Sequence, residues 1–169
     1  MVIGNHDWES NEKHALQILQ DLGETGLFNF KVYTKPEVIK VDGIRLFMCS
    51  HPHVLDVPSK NVDWCLGHFA WHGAKADNGF TVKSGKAPKG RWILGDFHLH
   101  QHGDRYVYCG TASQVLWSEK LPKGVVLFDK DDWNFKPFKP TYTLGIVEVE
   151  TEEALRDLDK DTFWSMRTV

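Results

Sequence analysis

The hydrophobic pattern predicts one helix near the start of the chain and a series of short strands after it. Apolar side chains recur with a helical period between residues 15 and 22, Ser10 or Asn11 can cap this helix, and Gly23 ends it. After Phe28, short apolar or alternating runs are separated by Gly, Pro, Asp and Asn, which is typical of strands. We expect strands at residues 1–3, 31–33, 37–41, 44–49, 62–66, 92–94, 105–109, 124–128 and 143–149.

The segments between these strands have less regular patterns. An Asp-Gly pair at 42–43 predicts a hairpin turn, and residues 51–60 carry two prolines without a clear period, as a surface loop does. Residues 69–91 are rich in lysine, glycine and alanine, and we expect a mobile connection there. Residues 152–158 have the pattern of a short helix.

Length and composition predict an ordinary globular domain. The chain has 169 residues, of which 41% are hydrophobic and 25% charged, so it can bury a substantial core. Residues 130–140 are polar and contain proline. We therefore expect one domain at 1–129 and a C-terminal extension at 130–169, consisting of a strand and a short helix.

Charge, hydropathy and cysteine usage restrict the cellular setting. The formal net charge is −3 and the pI is near 6.3, so any contact with nucleic acid must come from local clusters of Lys and Arg. No apolar run approaches the roughly 20 residues of a membrane span. Three cysteines without CxxC spacing favour reduced thiols. We expect a soluble, cytoplasmic protein that does not bind membranes.

Three of the expected strands end in Gly followed by residues that can bind metals or move protons. These residues are Asn5 and His6 after the first strand, His68 after another, and Asp96 with His98 after a third. Sheets gather functional groups at strand ends, which favours one shared site. Each motif also has a plainer explanation, because Asn and Asp cap turns, a His after Gly is often a satisfied turn residue, and alternating histidines fit an exposed strand face.

A basic stretch precedes the strand at 92–94. Four lysines lie within residues 69–91, and the aromatic residues Trp71, Phe80 and Trp92 alternate with them. Bases stack on aromatic rings and lysines contact phosphates, so this stretch is a candidate nucleic-acid surface. A solvated loop whose lysines keep it soluble is the alternative. The candidate contacts are Lys83, Lys86, Lys89 and Arg91.

Taken in order, these motifs resemble those of calcineurin-like metallophosphoesterases. Their spacing is most similar to that of the SbcD-like DNA exonuclease subunits of bacteria and phages, over residues 2–129. The resemblance implies an α/β fold, part of a two-sheet sandwich, with mostly antiparallel strands in the portion present. The matching segments are Gly4-Asn5-His6-Asp7, Gly67-His68, Gly95-Asp96-Phe97-His98, Tyr108-Cys109-Gly110-Thr111 and the run from Lys123 to Asp129.

The resemblance also implies a site with two metal ions, commonly Mn²⁺, with Mg²⁺ as the other candidate. It implies Asn5, His68 and Asp96 as ligands of one ion and His98 as a ligand of the other. His6 would face the phosphate as an acid, and Asp7 would orient its ring.

Two departures from the family pattern change this expectation. Asp96 stands where the family has His, and a carboxylate favours hard ions such as Mn²⁺ or Mg²⁺ over Zn²⁺. The Asp-x-His and Gly-Asp-x-x-Asp motifs that precede Gly-Asn-His in the family have no counterpart in this sequence. Without the bridging carboxylate we expect at most one weakly held ion, and activity through a partner polypeptide or a reduced site.

Three functions are therefore hypotheses for this chain. The first is a metal-dependent nuclease subunit of SbcD-like type, cleaving DNA phosphodiesters as in DNA repair. The second is a non-catalytic, truncated or split subunit that binds DNA or a partner SMC-like ATPase, with a homodimer as a further assembly. The third is a small-molecule phosphatase. Turnover of DNA, binding without turnover, and turnover of monoesters alone distinguish them.

Overall fold

The computed structural model describes residues 1–10, 13–28, 30–53, 61–116, 119, 122–140, 143–149 and 162–168. In this part of the chain a short 3₁₀ turn, Asn5–Asp7, precedes one helix, α1 (Gln17–Glu24), and ten strands come after it. The strands are β1 (Glu37–Val41), β2 (Ile44–Cys49), β3 (Trp64–His68), β4 (Trp92–Gly95), β5 (Gln101–Gly103), β6 (Tyr106–Tyr108), β7 (Lys123–Phe128), β8 (Trp133–Phe138), β9 (Thr143–Val149) and β10 (Thr162–Thr168).

A mixed six-stranded sheet forms the centre of the fold, in the order β1-β2-β3-β4-β6-β5. Strands β2, β3, β4 and β6 are parallel, whereas β1 and β5 run antiparallel to their neighbours at the two edges. The expected α/β class is correct at this level, but the expectation of mostly antiparallel strands is wrong. Four of the seven strand pairings between described residues are parallel.

The parallel arrangement has a physical cause in the connections. Segments 50–63 and 69–91 are long enough to return the chain to the same end of the sheet, as a parallel pair requires. The central strands are also nearly continuous apolar runs, which is typical of strands that are covered on both faces.

The two faces of the sheet have separate cores. On one face Phe47 and Trp92 pack with Phe69, Trp71 and Ala74, which belong to segment 69–91. This segment is therefore folded onto the sheet, and main-chain hydrogen bonds between its two halves hold it there. On the other face the core residues are Leu46, Met48, Trp64, Ile93 and Val107, and residues of the β7–β8 hairpin pack against them.

The start of the chain differs from the expected helix and strand boundaries. Helix α1 begins at Gln17 rather than after Ser10, because Glu9 N–H and Ser10 N–H both donate to Lys13 O in a tight turn that precedes it. Residues 31–33 contribute only a single parallel bridge, between Val2 and Tyr33. The alternative cap, Asn11, lies outside the described residues.

The later part of the chain contains strands that the pattern did not reveal. Strand β8 lies in the expected C-terminal extension, for which a strand was expected at 143–149 but not here, and it pairs with β7 along its whole length. The domain boundary expected at Asp129 thus falls in the turn of this hairpin. Strand β9 pairs in parallel with β10, and the helix expected at 152–158 lies outside the described residues. None of the helices in the described ranges is long and apolar enough to cross a bilayer.

Candidate functional site

The carboxyl ends of the parallel strands place three predicted site residues at one edge of the sheet. Strand β3 ends at His68, and Asp96 follows the end of β4. The first residues of the chain run beside the end of β2, because His51 N–H donates to Ile3 O at 2.8 Å and Ile3 N–H donates to the buried Ser50 Oγ at 2.7 Å. Asn5 is therefore carried to the same edge.

The side chains of Asn5, His68 and Asp96 meet at the imidazole. His68 Nε2 lies 3.0 Å from Asn5 Oδ1 and 3.7 Å from Asp96 Oδ1. An amide oxygen, an imidazole nitrogen and a carboxylate oxygen thus face one another. These three residues form the candidate centre, and the structure brings them together from three separate parts of the chain.

Two glycines leave the space that the His68 ring occupies. A Cβ at Gly4 would lie 2.7 Å from His68 Cε1, and a Cβ at Gly95 would lie 2.7 Å from His68 Nδ1. Side-chain carbons are essentially never found so close, so any larger residue at either position would move the imidazole. Gly4 and Gly95, which precede Asn5 and Asp96 in the sequence, therefore shape the site.

The electrostatic surroundings keep His68 neutral near pH 7. Burial lowers the pKa of His68, and the neighbouring imidazoles of His51 and His6 act in the same direction, while Asp96 and Asp7 act in the opposite direction without cancelling it. A neutral imidazole has a free lone pair on one nitrogen, which is the form that binds metals.

Asp96 has a strained main chain. Its φ angle is +104°, in the region that side chains other than glycine rarely adopt. Such strain costs of the order of 1–3 kcal/mol and is found preferentially at functional sites. The strained residue comes directly after Gly95, and its backbone sets the direction in which the Asp96 carboxylate approaches His68.

A cleft of about 320 Å³ opens over the candidate centre. Besides the three central residues, His51 and Lys86 line it. His51 was not assigned a role from the sequence, although it follows the buried strand β2 in the same way that His68 and Asp96 follow theirs. The strand-end pattern could have identified it, had residues 51–60 not been interpreted as a surface loop.

His6 and Asp7 lie on the 3₁₀ turn that also carries Asn5. The Asp7 carboxylate accepts a hydrogen bond from Gly4 N–H at 2.8 Å, so it caps the turn as the plainer interpretation of this motif expected. His6 is exposed beside Asn5. Its imidazole can therefore exchange protons with a molecule in solution.

His98 belongs to a second polar cluster and is not among the described residues that line the cleft. Its Nδ1 lies 2.7 Å from Glu119 Oε1 and 3.4 Å from Asp77 Oδ2, and its main-chain N–H donates to Asp77 Oδ1 at 2.9 Å. Two carboxylates at Nδ1 favour the tautomer in which this nitrogen carries the proton. Nδ1 of the fourth predicted ligand is therefore engaged by two carboxylates.

A buried ion pair supports this second cluster. Lys123 and Glu119 are almost fully buried, and Lys123 Nζ donates to Glu119 Oε2 at 2.6 Å, to Thr111 Oγ1 at 2.9 Å and to His98 O at 3.2 Å. All three ammonium protons are thus used. Burial alone would raise the pKa of Glu119, but the hydrogen bonds from Lys123, Val115 N–H and His98 outweigh it and lower that pKa.

The four basic candidates have different surroundings. Lys83 and Lys89 are exposed, and Lys86 lines the cleft. Arg91 donates to the main-chain carbonyls of residues 63, 130 and 131 and stacks 4.2 Å from the centre of the Trp64 ring. It joins the start of β4 to the β7–β8 turn, at the end of the sheet opposite the cleft.

The aromatic residues near these lysines are mostly part of the core. Trp71 and Trp92 are buried, and Trp92 is completely inaccessible. Phe80, in contrast, has 75% of its surface exposed. Of the three rings expected to alternate with lysines, Phe80 is the one available to a base.

The remaining alternating histidines pack against strand β8. His100 stacks on Phe135 with ring centroids 3.8 Å apart, and its Nδ1 lies 2.8 Å from Tyr108 O. His102 packs on Trp133 at 5.2 Å. These two residues therefore attach the edge strand to the hairpin.

The described residues contain no group of three or more His, Cys, Asp and Glu side chains arranged to hold a metal ion. The candidate centre contains only two side chains of these types, His68 and Asp96, and its third donor is the amide oxygen of Asn5. No protein-family model matches the chain, and no curated protein is similar enough to match it.

Proposed function

We propose that this chain is a metal-dependent phosphoesterase that acts on phosphodiesters, of the SbcD-like nuclease type. The observation that carries the proposal is the convergence of Asn5 Oδ1 and Asp96 Oδ1 on His68 Nε2, at 3.0 and 3.7 Å. Two of these donors come from the ends of β3 and β4 and the third from the 3₁₀ turn at residues 5–7, and they lie under one cleft at the carboxyl edge of the sheet, which is where α/β sheets bind their ligands.

The donor set fits one hard divalent cation. Amide and carboxylate oxygens suit Mn²⁺ and Mg²⁺, and a neutral imidazole completes the set. Asn5 Oδ1 and His68 Nε2 lie 3.0 Å apart, so both could contact the same ion. Asn5, His68 and Asp96 would hold this ion. Because His98 is not among the described residues that line the cleft, we propose one ion at this centre.

The surrounding residues have distinct roles in the proposal. A bound cation supplies Lewis-acid charge that polarises a phosphoryl oxygen. His6, exposed on the turn beside Asn5, donates a proton to the leaving oxygen as imidazolium. Asp7 fixes the turn by accepting a hydrogen bond from Gly4 N–H, and so holds Asn5 and His6 in their positions on that turn.

The exposed basic residues favour DNA as the substrate. Lys83 and Lys89 lie on the segment that also forms one wall of the cleft, and Phe80 on the same segment offers an exposed ring for base stacking. A phosphodiester strand could thus contact the lysines while one phosphate enters the cleft.

A second candidate function, a binding subunit without turnover, is favoured by the outer face of the β7–β8 hairpin. Val125, Leu127 and Phe138 are each at least 40% exposed and lie on the same face of this hairpin. Exposed apolar patches of this kind mark interaction sites. The partner in this proposal is an SMC-like ATPase or a second copy of the chain.

A metal titration combined with hydrolysis assays tests the proposal. Calorimetry with Mn²⁺ should give one ion per chain, and the Asn5→Ala and Asp96→Asn variants should each weaken this binding at least tenfold. The protein with Mn²⁺ should hydrolyse bis-p-nitrophenyl phosphate and single-stranded DNA, and His6→Ala should lose turnover while keeping the ion. Lys40→Met, on the exposed edge strand β1, is the control.

The outcomes separate the candidate functions. Absence of both Mn²⁺ binding and hydrolysis contradicts the phosphoesterase proposal. DNA binding without hydrolysis supports the binding subunit, and hydrolysis of p-nitrophenyl phosphate without that of either diester indicates a small-molecule phosphatase.

A further inference from the structure

Residues 84–86 form part of the wall of the cleft, although they lie in the middle of the connection between β3 and β4. Lys86 N–H donates to Ala70 O at 3.2 Å, and Lys86 O accepts from His72 N–H at 2.9 Å. These two bonds form a parallel bridge between Lys86 and Trp71. Ala70 is two residues beyond His68, the last residue of β3. The bond to Ala70 therefore holds the main chain of Lys86 close to the end of β3.

Gly85 allows this close approach. A Cβ at position 85 would lie 2.6 Å from Ala70 O and 2.7 Å from His72 N, both main-chain atoms that cannot move aside cheaply. A side chain here would push the segment away from the end of β3. The position of Lys86 at the cleft thus depends on a glycine immediately before it.

The ammonium group of Lys86 is available to a ligand. Its side chain is exposed, and it forms no hydrogen bond or ion pair with the described part of the chain. Lys75 Nζ donates to Thr81 Oγ1 at 2.8 Å and the guanidinium of Arg91 is bound to carbonyl oxygens, whereas Lys83 and Lys89 are exposed like Lys86 but are not among the described residues that line the cleft. Lys86 is therefore a free positive charge on the wall of a cleft that also contains a carboxylate and a neutral imidazole.

We infer that Lys86 is the substrate-binding cation of this cleft, which pairs with a non-bridging oxygen of the phosphodiester whose hydrolysis the proposed function assigns to the site. Lys83 and Lys89 then contact phosphates further along the strand. A phosphate monoanion placed between Lys86 and the candidate centre would be attracted from one side by the ammonium and from the other by the cation held there.

Inorganic phosphate is the probe that tests this inference without depending on catalysis. In a titration of ¹⁵N-labelled protein with phosphate, amide shifts should concentrate at residues 84–86 and 68–70. Lys86→Met should weaken phosphate binding about tenfold, Lys86→Arg should recover most of it, and Lys40→Met should match the parent protein. Gly85→Ala should weaken phosphate binding while every charge is retained.

Kinetics and metal binding then separate this inference from the proposed function. With bis-p-nitrophenyl phosphate, Lys86→Met should raise KM about tenfold, and its Mn²⁺ affinity by calorimetry should equal that of the parent. If Lys86→Met and Lys40→Met bind phosphate equally well, or if the shifts lie away from residues 84–86, the inference is wrong, whether or not the protein hydrolyses diesters. If the parent protein neither binds Mn²⁺ nor hydrolyses diesters but still binds phosphate at Lys86, only the proposed function is contradicted.

Discussion

Gly4 lies against the imidazole of His68 so closely that a Cβ on Gly4 would fall 2.7 Å from Cε1. The φ and ψ angles of Gly4 are −89° and 175°, which any residue can adopt. Position 4 therefore requires glycine because of the ring beside it and not because of its own backbone. This contact connects the first motif of the chain to the end of β3, 64 positions along.

The Gly4→Ala substitution should displace His68. Overpacking of a filled site costs about 1–3 kcal/mol, and we expect the free energy of unfolding, measured by urea denaturation, to fall by that amount. Mn²⁺ binding should weaken in parallel because Nε2 leaves the position facing Asn5. In a His68→Ala background the same substitution should be neutral or slightly stabilising, since the new methyl group meets no ring and the unfolded chain loses freedom. An equal cost in both backgrounds would contradict this explanation.

Replacing Asp96 with glycine should relax its strained backbone but remove the carboxylate from the candidate centre. With φ at +104°, we expect Asp96→Gly to raise the free energy of unfolding by about 1 kcal/mol over Asp96→Asn, which keeps the side-chain size but removes the charge. Both variants should lose Mn²⁺ affinity. Urea denaturation and calorimetry on the two proteins check this, and an Asn variant as stable as the Gly variant would show that position 96 is unstrained.

The convergence of three of the four expected ligands could be predicted because its signal is local. The apolar runs of β3 and β4 each end in a glycine followed by a polar residue, and parallel strands deliver their carboxyl ends to one edge. Asn5, His68 and Asp96 could therefore be grouped from the sequence alone. Their proposed role in metal binding is a separate matter and stays a prediction.

The remaining features depend on contacts between distant residues. The partner of His98 is Glu119, 21 residues away, and nothing near either residue predicts the other. The proline of strand β8 argues against a strand, whereas the alternation of aromatic with polar residues at 133–136 is a strand signal that could have identified it. Segment 69–91 was expected to be mobile because its composition is polar, whereas Trp71 and Ala74 fasten it to the sheet.

Arg91 should contribute to stability more than to DNA binding. Its guanidinium makes four hydrogen bonds to carbonyl oxygens and stacks on Trp64. We expect Arg91→Ala to lower the free energy of unfolding by about 2–4 kcal/mol, since these carbonyls lose their donors and the ring loses its stacking partner. Lys89→Ala, which removes an exposed charge two residues away, should change it by less than about 0.5 kcal/mol.

Binding of single-stranded DNA should also distinguish the Lys89 and Arg91 variants, but here the Lys89 substitution should have the larger effect. Under conditions where both proteins are folded, Lys89→Ala should weaken binding and reduce its salt dependence, whereas Arg91→Ala should leave both nearly unchanged. A fluorescence anisotropy titration at two salt concentrations measures this. Equal losses of DNA affinity in both variants would indicate that Arg91 contacts DNA, contrary to this prediction.

The buried pair of Lys123 and Glu119 should behave as a unit. Lys123→Met leaves a buried carboxylate without its cation, which costs about 3–5 kcal/mol. Combining it with Glu119→Gln removes the unpaired charge, and we expect the double variant to recover at least half of the lost stability. A double-mutant cycle from urea denaturation gives the coupling energy, and additive losses would show that the two groups do not depend on each other.

The stability of the folded chain should fall in two steps as the pH is lowered, because the pKa values of two histidines, His68 and His100, and of carboxyl groups that include Glu119 are depressed. For His68 the folded pKa is below the ordinary 6.5, so the unfolded chain takes up more protons as the pH falls through and below that value, and the free energy of unfolding decreases. His100, buried against Phe135, contributes in the same direction. For Glu119 the folded pKa is below 4.5, so its contribution is complete above that value and is lost below it.

Urea denaturation at pH values from about 7.5 to about 3.5 should show both steps, with His68→Gln flattening the upper one and Glu119→Gln the lower. An unchanged upper step in His68→Gln would mean that the imidazole is not desolvated by the cleft, and this would contradict the neutral nitrogen that the proposed cation site requires.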